Sequence, residues 1–428
     1  MKSYPAYKHS GVPWLGEIPE HWKIVPYRAF FGERKTPNSN LQETNLLSLS
    51  YGNIIRKDIN KAEGLVPASY SSYNIIEAED IVLRLTDLQN DHKSLRTGLC
   101  KQRGIITSAY VTLRPLNSEV CSAYFQYQLY RYDVSKCIYA GGGGVRQTMN
   151  FDSIIRLHAC APPLSEQAAI AAYLDKKCGE IDEMVRRRQA IIERLRELKQ
   201  ALIAKAVTKG LHPEVPMKDS GIPWLGEIPE HWTLRPLRTL MRRNEVRGFP
   251  KHTLLSVVRE KGIIVRNTES KEENHNFIPD DLSKYKLVRK GQFVINKMKA
   301  WQGSYGISDY EGIVSPAYFV YSMDNSSLLP AFFHTAIRSM AYIPFFSRYS
   351  DGVRIGQWDL DEAEMKKITF YCPPLPEQSA IVAYLDQKCA AIDELISRHG
   401  QIVEKLRELK ASTIAHVVTG KIDIRERA

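Results

Sequence analysis

The chain has 428 residues, of which 43% are hydrophobic, and it carries a formal net charge of +11. The length allows about two to four domains, and the hydrophobic fraction excludes a largely disordered chain. The positive charge favours an anionic partner such as nucleic acid, and seven cysteines without a Cys-x-x-Cys pair exclude a disulfide framework and indicate reduced thiols.

The opening MKSYPAYKHS lacks the apolar core of a signal peptide, and no run of about 18 apolar residues follows, so we expect a cytoplasmic protein without membrane spans.

One short segment near the N-terminus occurs a second time in the chain. GVPWLGEIPEHW (Gly11–Trp22) returns as GIPWLGEIPEHW (Gly221–Trp232), with eleven of twelve residues identical. We predict that these segments dock each domain onto the end of a long helix, although a simple turn with a buried tryptophan fits them equally well.

The regions that follow, 23–158 and 233–369, diverge in sequence but keep a common frame. LLSLSYGNIIR (Leu46–Arg56) resembles LLSVVREKGIIVR (Leu254–Arg266), and GIITSAYV (Gly104–Val111) resembles GIVSPAYFV (Gly312–Val320). Short β-branched fragments bounded by Gly, Asn and Pro are typical of strands and turns. The pattern predicts one mixed α/β fold, present twice with different surfaces.

Each divergent region leads into a second repeated segment, PPLSEQAAIAAYLD (Pro162–Asp175) or PPLPEQSAIVAYLD (Pro373–Asp386). A Pro-Pro step followed by Glu-Gln is typical of a helix start, and the apolar residues beyond it recur in heptads, which predicts a coiled coil. The predicted seam residues are Leu174, Ile181, Met184, Ile191, Leu195, Leu198, Leu385, Ile392, Leu395, Ile402, Leu406 and Leu409.

The order of these parts predicts the topology. A helix of about 45 residues is roughly 65 Å long, and the second helix buries its seam against the first only by running back along it. The predicted fold class is α+β: two pseudo-symmetric mixed α/β domains separated by two long antiparallel helices that form a coiled coil. The predicted boundaries are 1–158 for an N-terminal docking segment and domain 1, 159–210 for helix 1, 211–369 for a linker and domain 2, and 370–428 for helix 2 and the C-terminal tail.

Residue patterns of common catalytic sites are missing from the sequence. There is no phosphate-binding Gly-x-x-x-x-Gly-Lys-Ser/Thr, no Gly-x-Ser-x-Gly elbow and no His-Glu-x-x-His zinc motif. Glu197–Lys199 and Glu408–Lys410 match half of a nuclease motif but fall on charged helix faces, and Cys178 and Cys389 are interpreted as small packing residues. We therefore expect no catalytic residue, no metal ligand and no cofactor in this chain.

The divergent loops are rich in side chains that recognise nucleic acid. Arg and Lys suit the acceptors of guanine, Asn and Gln suit adenine, and Lys neutralises phosphate without sequence preference. As a group these loops are predicted to bind DNA, whereas any single one of these residues more often belongs to a solvated surface. The candidates are Arg84, Gln89, Asn90, Lys93, Arg96, Lys101, Arg103, Arg146 and Gln147 in the first copy, and Asn296, Lys297, Lys299, Trp301, Gln302, Tyr305, Arg354 and Gln357 in the second.

Taken together, the tandem variable regions, the two Pro-Pro-Leu-x-Glu-Gln-x-x-Ile-x-x-x-Leu-Asp motifs and the Trp-Leu-Gly-Glu-Ile-Pro segments resemble the DNA-specificity subunit of type I restriction–modification systems, over essentially the whole chain. The resemblance implies a non-catalytic subunit with two target-recognition domains that read a bipartite, asymmetric double-stranded DNA sequence across an unread spacer. It also implies two modification subunits and two restriction subunits as partners. These partners would supply S-adenosylmethionine, ATP and magnesium.

Three alternatives differ in what they predict for the purified chain. A two-headed structural adaptor would join protein partners and show little salt-dependent affinity for DNA. A free-standing nuclease would cleave DNA with a metal ion. A homodimeric regulator is disfavoured, because the duplication already supplies an internal twofold.

Overall fold

The computed structural model describes residues 3–12, 15–59, 69–86, 95–136, 149–222, 225–267, 278–354 and 357–425. It divides into unit 1, residues 1–189 and 400–428, and unit 2, residues 190–399. The division falls inside each of the two long helices, α3 (Leu164–Lys209) and α8 (Leu375–Val418). Each unit therefore contains one end of α3, one end of α8 and one of the divergent regions.

Unit 1 is built from short strands and two further helices. Its elements are β1 (Tyr7–His9), β2 (Glu17–Pro19), β3 (Lys23–Pro26), β4 (Phe31–Glu33), β5 (Leu47–Ser50), β6 (Asn53–Arg56), β7 (Asn74–Ile76), β8 (Ile81–Leu83), β9 (Thr97–Leu99), β10 (Gly104–Ile106), β11 (Val111–Pro115), α1 (Ser122–Val134), α2 (Phe151–Ile155) and β12 (His158–Ala161).

Unit 2 follows the same plan with small additions. Its elements are β13 (Met217–Asp219), β14 (Glu227–Pro229), β15 (Thr233–Pro236), α4 (Leu237–Leu240), β16 (Met241–Arg243), β17 (Leu255–Val258), β18 (Gly262–Val265), β19 (Lys286–Val288), β20 (Phe293–Asn296), β21 (Tyr305–Ile307), β22 (Gly312–Val314), β23 (Tyr318–Met323), α5 (Pro330–Ile337), α6 (Ile343–Arg348), β24 (Ser350–Arg354), β25 (Gln357–Leu360), α7 (Glu362–Met365) and β26 (Thr369–Cys372).

The strand pairing of unit 1 recurs in unit 2, which has the β24-β25 hairpin in addition. A four-stranded sheet has the order β4-β11-β8-β9 in unit 1 and β16-β23-β20-β21 in unit 2. The pairs β1-β2, β3-β12, β5-β6 and β7-β10 of unit 1 correspond to β13-β14, β15-β26, β17-β18 and β19-β22 of unit 2, all antiparallel. The predicted duplication of one mixed fold is therefore visible strand by strand, although the loops differ.

Each unit buries one main apolar core that includes both long helices. In unit 1, Leu174 of α3 and Val417 of α8 lie in the cluster that holds Trp22. In unit 2, Val207 of α3 and Leu385 of α8 lie in the cluster that holds Trp232. Burial of apolar side chains at this scale is the main stabilising contribution to such a core.

Within each unit the two helices run antiparallel. In unit 1, Lys410 Nζ lies 2.7 Å from Asp182 Oδ2, while residues earlier in α3 meet the end of α8. In unit 2, Lys199 Nζ lies 2.7 Å from Asp393 Oδ2 in the equivalent arrangement. The predicted fold class, with mixed α/β domains and long antiparallel helices, is confirmed.

Candidate nucleic-acid interface

The glutamate of the Pro-Pro-Leu-x-Glu-Gln motif joins the two repeated segments of unit 1. Glu166 Oε1 accepts hydrogen bonds from Trp22 Nε1 at 3.2 Å and from the Tyr4 hydroxyl at 2.5 Å, and its Oε2 lies 2.9 Å from His21 Nε2. Burial, together with the Glu166 contact, raises the pKa of Tyr4, which keeps this phenol a hydrogen-bond donor. A carboxylate in the first turn of α3 is also favoured by the helix dipole.

We call the contact of Glu166 with His21 and Trp22 the glutamate clamp, and unit 2 repeats it with the equivalent residues. Glu377 Oε2 accepts from Trp232 Nε1 at 3.1 Å and lies 2.8 Å from His231 Nε2. Trp22 and Trp232 are both fully buried. The Glu-Ile-Pro-x-x-Trp segments thus tie each domain to the start of a long helix, and Glu, His and Trp have this role in both copies.

The glutamine that follows each glutamate contacts the residue before one helix of the domain, α1 in unit 1 and α5 in unit 2. Gln167 accepts from the backbone N–H of Cys121 at 3.0 Å, immediately before α1, and donates to the Pro162 carbonyl at 3.0 Å. Gln378 accepts from the backbone N–H of Leu329 at 2.7 Å, immediately before α5. The sequence indicated that the Glu-Gln pair starts a helix, but it did not reveal that Glu binds His and Trp or that Gln binds the residue before α1 or α5. The available signal was that the Glu-Gln pair and the His-Trp pair both recur unchanged in the second copy.

The N-terminal segment also contacts the residues that follow α8 in unit 1. The Tyr7 hydroxyl donates to the Gly420 carbonyl at 3.1 Å, and Lys421 Nζ donates to the Glu17 carbonyl at 2.6 Å. In unit 2, Lys209 Nζ donates to the carbonyl of Glu227, the residue equivalent to Glu17. The Pro-Trp pairs at 13–14 and 223–224 lie outside the described residues.

The heptad prediction is correct for one seam position and wrong for the other. Leu174, Ile181, Leu385 and Ile392 are buried, and Leu195 and Leu406 are half-buried. The residues predicted for the second position are exposed instead: Met184, Ile191, Leu198, Leu395, Ile402 and Leu409.

The reason lies in the residues next to the exposed positions. Val185, Ile192 and Ile396 are less exposed than the neighbours that precede them, and Val403 is buried. Each long helix therefore turns the first and fifth heptad positions inward rather than the first and fourth. The fourth positions form an apolar row along the outside of each helix.

In unit 1 the structure places the predicted DNA-binding residues in different environments. Lys101 is exposed, and Arg84 is half-buried. Arg103 is exposed but paired, since its Nε lies 3.0 Å from Glu43 Oε2 and its Nη1 contacts Glu77. Gln89, Asn90, Lys93, Arg146 and Gln147 lie outside the described residues.

In unit 2 several candidates come together after β20. Lys299 is exposed, Lys297, Trp301 and Gln302 are half-buried, and the Trp301 and Trp358 rings are 5.0 Å apart. Lys297 Nζ lies 2.7 Å from Asp359 Oδ2, which ties this loop to the β24-β25 hairpin. Arg354 and Gln357 are paired across that hairpin, although their side chains lie outside the described residues.

Three of the predicted contacts are corrected because the side chains are internal. Arg96 is fully buried, and its Nη1 donates to the Thr86 carbonyl at 2.8 Å. Tyr305 is fully buried, stacks on Phe346 at 4.0 Å and donates to the Ile337 carbonyl at 3.2 Å. Asn296 is also buried, with its Nδ2 donating to the Tyr318 hydroxyl at 3.2 Å.

The described residues were compared with the requirements of a metal site, a reactive thiol and a membrane span. Among the described residues no cluster of three or more His, Cys, Asp or Glu side chains is arranged to hold a metal ion. Burial raises the pKa of both Cys178 and Cys372 to about 11, so these thiols stay protonated at neutral pH. No described helix has both the length and the apolar character needed to cross a membrane.

Comparison with known proteins identified similar chains. The type I restriction enzyme StySPI specificity subunit of Salmonella potsdam is 24% identical over 273 residues, a match that spans 62% of this chain and 58% of that relative. A chain solved in a study of complex assembly and conformational transition of the type I R-M system has a TM-score of 0.66 at 15% identity, covering 95% of this chain and 99% of its own. The HsdS subunit from Thermoanaerobacter tengcongensis has a TM-score of 0.48 at 15% identity, covering 95% and 98%. No protein-family model matches the sequence.

Proposed function

We propose that this chain, which resembles type I restriction–modification specificity subunits in sequence and shares the fold of a chain from such a system, selects the DNA target of a type I complex and has no catalytic activity of its own. Each unit would read one half of a bipartite, asymmetric double-stranded sequence. The observation that carries this proposal is the pair of units with one strand topology and one glutamate clamp but different surface loops. Duplicated frames with diverged loops suit the reading of two unlike half-sites.

The charges of the loops support DNA as the ligand. The chain has a net charge of +11, and Lys101 in unit 1 and Lys299 in unit 2 are exposed on the divergent loops. Exposed lysines neutralise phosphates, and the half-buried Trp301 and Gln302 side chains near Lys299 would add groups for contact with bases. The long helices α3 and α8 would set the length of the unread spacer between the half-sites.

The outward apolar rows support assembly with partner subunits. Unit 1 exposes Met184 with Ile402 and Leu409, and unit 2 exposes the equivalent Leu395 with Ile191 and Leu198. Exposed apolar side chains that repeat along helices are typical of a helical docking surface. We propose that two modification subunits bind here, and that these and two restriction subunits supply S-adenosylmethionine, ATP and magnesium.

Binding of the assembled complex to DNA tests this proposal against the adaptor alternative. The chain, purified with its modification subunits, is titrated with labelled genomic fragments at several salt concentrations. The expected logarithm of affinity falls linearly with the logarithm of salt, and Lys299→Ala reduces that slope by about one phosphate contact. Affinity that is weak and insensitive to salt would favour an adaptor that joins proteins.

The spacer role has its own test. Removing one heptad from each of α3 and α8 is expected to shorten the spacer or to abolish recognition. A complex that keeps both its target and its spacing would contradict the role of the helices. Exchange of residues 23–158 for the corresponding region of a related chain is expected to change one half-site only, and a change in both halves would contradict independent reading.

A further inference from the structure

The duplication makes α1 of unit 1 and α5 of unit 2 comparable residue by residue. The residue before each helix, Cys121 or Leu329, donates its backbone N–H to the glutamine of the repeated motif. From this anchor, Phe125 corresponds to Phe333 and Leu129 to Ile337, and all four side chains are fully buried. The two helices therefore present equivalent faces to the long helix beside them.

One equivalent position differs in size. In unit 1 the hydroxyl of Tyr127 on α1 donates to Asp175 Oδ1 of α3 at 2.7 Å, and the half-buried ring packs against the core. The corresponding pair in unit 2 is Thr335 on α5 and Asp386 on α8. Thr335 is too short to span this distance, and its hydroxyl donates to the Ala331 carbonyl at 3.1 Å instead.

The missing ring coincides with a cleft in unit 2. Thr335 and Asp386 both line an open cleft of about 470 Å³. Ala331 of α5 and Val382 of α8, each one helical turn before Thr335 or Asp386, line the same cleft and correspond to Ala123 and Ala171 of unit 1. The size lies within the ~300–1,000 Å³ that is usual for ligand sites.

The other residues that line the cleft are part apolar and part charged. Ile307 and Leu329 supply apolar surface, while Lys290, Asp309 and His334 supply polar groups. His334 Nδ1 accepts from the Ile307 N–H at 3.1 Å, and burial lowers the pKa of His334 to about 4, so this ring is neutral under ordinary conditions. An apolar lining that includes the Asp386 carboxylate suits a flat ring that carries a hydrogen-bond donor.

We propose that this cleft of unit 2 binds a para-substituted phenol, whose ring takes the place that Tyr127 fills in unit 1 and whose hydroxyl donates to Asp386. The ligand is the side chain of a tyrosine on another polypeptide or a free phenol of the same shape. The proposal rests on the internal comparison of the two units and goes beyond the selection of DNA, so it stands or falls independently of that function.

The test uses p-cresol, which has the structure of a tyrosine side chain, titrated calorimetrically into the full-length chain. Saturable binding of one p-cresol is expected. Thr335→Tyr, which supplies the ring from within, is expected to abolish this binding and to raise the melting temperature. Thr335→Val is the matched control, because it changes the same residue but leaves the cleft open and the binding intact.

Two further variants test the geometry from both sides. Asp386→Asn is expected to weaken p-cresol by about tenfold, because a hydrogen bond to a charged acceptor is lost. Tyr127→Thr is expected to create a second p-cresol site in unit 1. This readout keeps the proposal testable even if Thr335→Tyr fails to fold.

Related ligands identify the chemistry and its source. Toluene, which lacks the hydroxyl, is expected to bind much more weakly, and tighter binding of 4-methylbenzylamine would overturn the assignment in favour of a cation. If N-acetyltyrosinamide binds with the same affinity as p-cresol, the natural ligand is a tyrosine of a partner chain. If only p-cresol binds, the natural ligand is a free phenol. Absence of saturable binding, or binding unchanged by Thr335→Tyr, would overturn the proposal.

Discussion

The contact between the N-terminal segment and the end of α8 makes Gly420 a sensitive position in unit 1. Its φ is +70°, a left-handed conformation that costs a non-glycine residue about 1–2 kcal/mol. A Cβ added there would lie 2.3 Å from Pro19 Cδ and 3.3 Å from Trp22 Cη2, so the neighbouring backbone would have to move. Overpacking of this kind costs about 1–3 kcal/mol in addition.

Gly420→Ala is therefore expected to lower the free energy of unfolding by about 2–5 kcal/mol, of which the clash with Pro19 supplies the larger share. Gly11→Ala is the matched control: its φ is +75°, but no atom of the described residues lies within 4 Å of the added Cβ. Urea denaturation of both variants gives the difference, and amide hydrogen exchange of residues 3–12 reports whether the docked segment opens first. Equal destabilisation by the two substitutions would refute the close docking of Gly420 against Pro19.

Three other predictions address separate parts of the molecule. His334→Asn is expected to remove a pH dependence of the free energy of unfolding. Burial depresses the pKa of His334 to about 4, so the unfolded chain takes up a proton first as pH falls below about 6.5. Denaturation at pH 7 and pH 5 should therefore show a loss of about 2 kcal/mol at pH 5 in the wild type and a much smaller loss in the variant. Arg96→Met is expected to lower the free energy of unfolding by about 3 kcal/mol or more, since it leaves buried carbonyl groups without a hydrogen-bond donor. The exposed control Lys101→Ala should change the free energy of unfolding little, as measured by denaturation. Equal stability of the two variants would contradict the buried role of Arg96. The double substitution Leu198→Glu and Leu409→Glu is expected to abolish co-purification with the modification subunit while the melting temperature stays unchanged. Substitution of the exposed residue Gln200→Glu is the control. Retained co-purification would show that the apolar rows are not part of the interface.

The repeats predicted the duplicated fold because repeated sequence in one chain produces repeated structure. The heptads predicted the long helices but assigned the wrong second seam position. Ile191 and Ile192 are adjacent, as are Ile402 and Val403, so periodicity alone offers two seams. The choice between them depends on tertiary packing.

The candidate site was harder to predict than the fold. Sequence reasoning selected Arg96 and Tyr305 for their chemistry, but loop chemistry does not reveal burial. The backbone of Arg96 pairs with Asp133, a residue far away in the sequence, and Tyr305 stacks on Phe346. Exposed Lys101 and Lys299 stay within the predicted surface, and their contact with DNA stays a prediction.

The comparison of the two units revealed what neither copy shows alone. Tyr127 and Thr335 look unremarkable in the sequence because the regions around them have diverged. The glutamine anchors at the starts of α1 and α5 supply the alignment that the sequence lacks. Once aligned, the position where tyrosine is exchanged for threonine lies at a cleft of unit 2 that Asp386 also lines.

The central claim, that this chain selects a split DNA target, is tested most directly by single-molecule sequencing of methylated adenine. Cells that express this chain together with its modification subunit are compared with cells that lack only this chain. The account predicts methyladenine at one asymmetric motif with two defined halves and an unread centre, present only when this chain is expressed. Unchanged methylation, or methylation at a continuous palindrome, would contradict it.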